Sequence, residues 1–171
     1  MPRATVTAVG APRQRCACSS RRPGRPLWTA ISFGYTAAVE ALAGRGARLD
    51  NLCFAAALGD LDAVRGYFDS DGALRDDVAP VERIGTHGPE LATDRIIEYA
   101  LIWAAAHDRR QVVEYLLTKN PDLRVREPCF DATALGVARY FEHHELVGLL
   151  ERASSHRSAS TEGAARVPPA P

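Results

Sequence analysis

The side chains able to do chemistry are few, and they lack partners. His87 stands in Thr86-His87-Gly88-Pro89, inside the long stretch Asp76–Thr93. An imidazole there can serve as a general base or face a ligand, but only beside a nucleophile or a fixed acid. Neither is identifiable, so a loop histidine bonded to backbone or water is the favoured reading. His143 and His144 have no Cys or acid at ligand spacing. Cys16-x-Cys18 lacks a second pair, and structural zinc wants four ligands, so no metal site is expected. Cys53 sits among apolar residues and reads as a buried thiol. G-x-S-x-G, H-E-x-x-H, C-x-x-C and a phosphate-cradling glycine loop are all missing from the sequence. The expectation is a protein with no catalytic residue, no cofactor and no metal.

The elements that would position a site are short helices in pairs. Within Ile97–Leu123, Ala100, Leu101, Ala104 and Ala105 fall on one helical stripe, Asp108-Arg109-Arg110 interrupts it, and Val112, Val113, Leu116 and Leu117 begin a second. Asn120-Pro121 closes the pair, because Asn tolerates a left-handed cap and Pro cannot continue a helix. The pattern recurs. Ala104-Ala105 matches Ala30-Ile31, Ala55-Ala56 and Ala138-Arg139, each followed by a second apolar stripe. Neither helix of a pair can bury its stripe alone, so the pairs need one another.

Arg25-Pro26-Leu27-Trp28-Thr29-Ala30 keeps the Pro, Leu and Ala of the T-P-L-H-x-A signature, and Thr133-Ala134-Leu135-Gly136-Val137-Ala138 keeps its Thr, Leu and Ala. Gly34 and Gly59 supply the turn between helices. On these residues the stretch Pro26–Glu151 resembles the ankyrin repeat family. The resemblance implies an all-α, ankyrin-like solenoid of about four stacked helix-turn-helix units, with a long loop between the second and third. The spacing departs from the family. Equivalent leucines Leu27, Leu52, Leu101 and Leu135 are separated by 25, 49 and 34 residues, against about 33 expected. The turn glycine becomes Asp108 in the third unit and Glu142 in the fourth, and Glu fits a left-handed turn less well than Asp. Nothing before the first unit looks like a polar cap.

The resemblance also implies a function. In such arrays the positions that end each first helix face the concave surface and are polar unless something binds there. Here they include Phe33, Leu58, His107, Tyr140 and Phe141, and apolar or aromatic side chains at such positions suggest anchors for a protein partner. The expected function is a protein–protein interaction module working through its concave face. Phe33 and Phe141 would mark its two ends. The competing arrangement has the 76–93 loop folded over that face. The open face is favoured, because the loop offers mainly Val81, Ile84 and Leu91 to cover it. Alternative functions are a regulatory or truncated piece of a larger assembly and, less favoured, a small enzyme using the His87 loop.

The 171 residues carry no net charge, but the charge is segregated. Residues 1–25 carry +6, residues 26–151 carry −8 and residues 152–171 carry +2. An acidic body repels phosphate, so nucleic acid is not an expected partner. No apolar run approaches the ~20 residues of a membrane helix, and residues 1–25 have no apolar signal core. The expected organisation is a disordered basic tail over 1–25, a repeat domain over 26–151 and a disordered tail over 152–171. A reducing, cytoplasmic setting fits the cysteines, and the Arg-, Ala- and Gly-rich composition fits a GC-rich, bacterial genome.

Overall fold

The computed structural model describes residues 25–47, 51–78, 93–128 and 130–164. These form eight α-helices: α1 (Arg25–Ser32), α2 (Thr36–Gly44), α3 (Leu52–Leu58), α4 (Leu61–Gly66), α5 (Ile96–Ala106), α6 (Arg110–Leu117), α7 (Ala134–Tyr140) and α8 (His144–Ala164). The chain is all-α over the described residues, with two isolated antiparallel bridges, Phe68–Leu74 and Glu127–Ala132.

One turn is built four times. Gly34, Gly59, Asp108 and Glu142 all adopt left-handed backbone, at φ +69°, +86°, +55° and +60°. The next amide in each case donates back to an alanine carbonyl: Tyr35 to Ala30, Asp60 to Ala55, Arg109 to Ala104 and His143 to Ala138, at 2.9–3.1 Å. A second bond, from the left-handed residue itself, reaches Ile31, Ala56, Ala105 or Arg139. This is the Schellman closure, which satisfies the helix's last carbonyls and reverses the chain. The four alanines are buried, and they are the four that the sequence alignment sets in register. The other helix ends follow local rules as well. Asn51, Asp60 and Thr133 cap α3, α4 and α7 by accepting from Phe54, Ala63 and Gly136 amides. Asn120 takes the left-handed position before Pro121. Thr93 opens a 3₁₀ turn, Thr93–Arg95, that leads into α5.

Packing sets α3, α5 and α7 side by side, with α4, α6 and α8 behind them. Phe68 meets the Tyr115 ring edge-on at 5.6 Å, and the Lys119 ammonium lies over both rings, pinning the segment after α4 to α6. Nine of the eleven residues of α5 are buried. A helix apolar on all sides is enclosed on all sides, and α1 supplies the cover that α3, α6 and α7 leave open. The Trp28 indole sits between Phe54 of α3 and Trp103 of α5, edge-on to both at 4.9 and 4.8 Å.

The first helix pair is therefore not the end unit of a row. An end unit would meet only its neighbour, whereas α1 and its turn touch all three following pairs. Gly34 lies against the Phe141 ring, so Phe33 and Phe141 do not mark opposite ends of an array. The 25-residue spacing from Leu27 to Leu52 leaves no room for the hairpin that spaces stacked units. Burying Leu27, Trp28 and Ile31, with Trp28 packed against Phe54 of α3 and Trp103 of α5, supplies the alternative. A second correction concerns the C-terminal side. Residues 152–164 continue α8 rather than forming an irregular tail. Ser154 and Ser155 turn their hydroxyls back to the carbonyls of Leu150 and Glu151, so neither competes with the helix from outside.

Candidate protein-interaction surface

The five side chains expected to face a partner separate into two groups. His107 belongs to the first. Ala106 and His107 end α5 against the α1–α2 hairpin, and His107 is only 2% exposed. Its Nε2 lies 3.0 Å from the Ile31 carbonyl and its Nδ1 2.8 Å from the Thr36 hydroxyl. A carbonyl can only accept, so Nε2 carries the proton and the Thr36 hydroxyl donates to Nδ1. Burial pushes the imidazole down to about 4, against the opposing Ile31 bond, with Arg109 and His143 adding repulsion and Glu40 attraction. His107 is a neutral strut between the hairpin and the body. Leu58 is half-buried and packed on the core. Beside it, Arg109 donates Nε to the Ala57 carbonyl at 3.0 Å and Nη2 to Glu40 of α2 at 2.8 Å. His107 cannot face a partner while α1–α2 lies there, and Leu58 keeps only part of its side chain in solvent. The first helix pair lies against the C-terminal ends of α3 and α5. Most of the 76–93 loop, including His87, falls outside the described residues, as do Cys16, Cys18 and Cys129.

Phe33, Tyr140 and Phe141 form the second group, and the fold brings them together. The Phe141 ring lies over Gly34, where an added Cβ would come within 2.3 Å of it. Gly34 is thus required twice, for its φ and for this approach. Tyr140 meets the Phe141 ring edge-on at 5.0 Å. Two rings absent from the sequence-derived set join them. Tyr35 lies nearly parallel to Phe33, 17° apart with centroids at 5.9 Å, and Phe130 meets Phe33 edge-on at 5.5 Å. Phe130 is presented by a tight loop. The buried Glu127 carboxylate accepts its amide, and Arg126 ties down Asp131 through both its carbonyl and its carboxylate. Phe33, Tyr35, Phe130 and Tyr140 are 50, 59, 55 and 80% exposed, and they are the large apolar side chains exposed among the described residues.

No protein-family model matches this chain, and no curated protein matches it in sequence. The surface must be read on its own chemistry. Among the described residues no three His, Cys, Asp or Glu side chains gather to hold a metal. Burial raises the Cys53 thiol far above its ordinary value, so it is not a nucleophile at neutral pH. No described helix is long and apolar enough to cross a membrane. The Phe33-Gly34-Tyr35 turn is visible in the sequence, but its nearness to Phe130 and Phe141 depends on where α1 docks. No periodicity signals that.

Proposed function

We propose that this chain is an ankyrin-like protein-binding module whose contact surface is the aromatic patch of Phe33, Tyr35, Phe130, Tyr140 and the Phe141 beneath it. Four turns of one geometry, each closing on an aligned alanine, together with two T-P-L-H-x-A-like segments, support the ankyrin-like reading. One observation carries the functional part: the large exposed apolar side chains share one patch, linked ring to ring or through Gly34. Scattered surface aromatics are ordinary, whereas a contiguous patch is costly in water and marks an interaction site. Rigid rings lose little entropy on docking and make good anchors. On this reading the partner meets the edge where the α1–α2 turn joins α7.

The test is the double substitution Phe33→Ser with Tyr140→Ser. Both side chains are at least half exposed, so the helical circular dichroism and cooperative melt should stay. Binding of an apolar reporter dye should fall severalfold. Undiminished dye binding with the fold intact would refute the patch as the contact surface.

A further inference from the structure

The patch has a composition that selects its ligand. It joins one stacked ring pair, Phe33 and Tyr35, to edge-on contacts at Phe130 and Tyr140, and it carries two phenolic hydroxyls, those of Tyr35 and Tyr140. A polyproline II strand suits such a surface. Its pyrrolidine rings pack on exposed aromatic faces, its carbonyls have no internal hydrogen bonds and accept from phenols, and its backbone is ordered before it binds. An amphipathic helix wants a long apolar stripe, whereas the large exposed apolar side chains among the described residues are four rings in one patch. Charge adds a preference. Glu142 is exposed directly after Phe141, and none of the ion pairs among the described residues includes it. An arginine beside the prolines would find it.

The chain itself contains such a segment, Arg166-Val167-Pro168-Pro169-Ala170-Pro171, a P-x-x-P run preceded by arginine. It follows α8, which starts beside the patch and extends for 21 residues, about 30 Å at 1.5 Å per residue. Only residues 165–167 lie between the helix and the first proline of the run. Even at the maximum reach of a chain, about 3.6 Å per residue, these could span only about 11 Å, too little to bring the prolines back to their own patch. A neighbour's patch has no such limit. Resting on the reading of the patch as a protein-binding surface, we propose that it binds the proline-rich segment Arg166–Pro171 of a second copy of this chain.

Two measurements on the full chain test this. In sedimentation equilibrium the wild type should associate with rising concentration, and the variant Pro168→Ala, Pro169→Ala, Pro171→Ala should stay monomeric. A synthetic peptide of residues 165–171, titrated into that monomeric variant, should shift backbone amide resonances around Tyr35, Phe130 and Glu142. Adding Tyr140→Ala should weaken the peptide at least tenfold, and Glu142→Gln should weaken it severalfold at low salt and little at high salt. A wild type monomeric to millimolar concentration overturns the proposal. So does association that survives the proline substitutions, or a scrambled peptide without P-x-x-P spacing binding equally well. If the peptide fails while dye binding still depends on Phe33 and Tyr140, the self-ligand falls and the interaction patch stands.

Discussion

His107 shows what a single buried imidazole does to this fold. Its pKa is about 4 in the folded chain, against about 6.5 when unfolded. Above pH 6.5 both states are neutral there and His107 adds no pH dependence. As pH falls from 6.5 toward 4 the unfolded state takes up the proton and the folded state resists. Stability therefore drops by about 3 kcal/mol over that window from this residue. Carboxylates titrate in the same range, so the measurement is a difference. Urea midpoints at pH 7 and pH 4.5 should diverge more for the wild type than for His107→Gln, and equal losses would remove His107 from the account. The turns make a second residue-scale prediction. Glu142 carries a Cβ in a left-handed turn, a strain of about 1–2 kcal/mol partly offset by glycine's greater freedom when unfolded. Glu142→Gly should raise the melting temperature modestly. Gly34→Ala should do the reverse by a few kcal/mol, because it adds that strain and drives a methyl into the Phe141 ring. Like-signed shifts for the two would contradict the turn assignment.

α1 is the element whose placement matters most. It is eight residues long and cannot be stable alone. It is held by what it covers: Trp28 between Phe54 and Trp103, and Ile31 under His107. Trp28→Ala should cost about 3–5 kcal/mol, as large aromatic truncations in cores do. Asp62→Ala on α4, whose carboxylate is almost wholly exposed beside Arg65, should change stability by about 0.5 kcal/mol or less. Chemical denaturation of the two variants makes the comparison. A Trp28 variant as stable as the Asp62 variant would mean that the α1 contacts contribute nothing.

In the molecule as a whole, α1 packs Trp28 against both Phe54 and Trp103 and so covers part of α3 and α5. Among the described residues the large apolar exposure is then concentrated where the α1–α2 turn meets α7. Phe141 lies at the junction and serves both roles, half-buried against Gly34 and supporting Tyr140. Phe141→Ser should therefore lower stability as well as dye binding, whereas Phe33→Ser with Tyr140→Ser should lower dye binding alone. Thermal melts and dye titrations on the same samples separate the two patterns, and a Phe141→Ser protein of wild-type stability would sever the link between patch and fold.

Helices, caps and turns were legible because each is decided within about ten residues. Ala30, Ala55, Ala104 and Ala138 are small where a backbone must be approached, Gly or Asp takes the left-handed turn position in three of the four pairs, and Asn51 caps from its own neighbourhood. The burial of Cys53 followed from its apolar surroundings. The order of the helix pairs in space was not legible, since it turns on one indole fitting between Phe54 and Trp103 from distant parts of the chain. That docking buried His107, which the ankyrin resemblance places on an exposed face. It also gathered Phe33, Tyr35, Phe130 and Phe141, residues separated by up to 108 positions. Local hydrogen bonding and hydrophobic period specify elements. Only side-chain packing between elements decides which apolar faces are spent on the core and which are left for a partner.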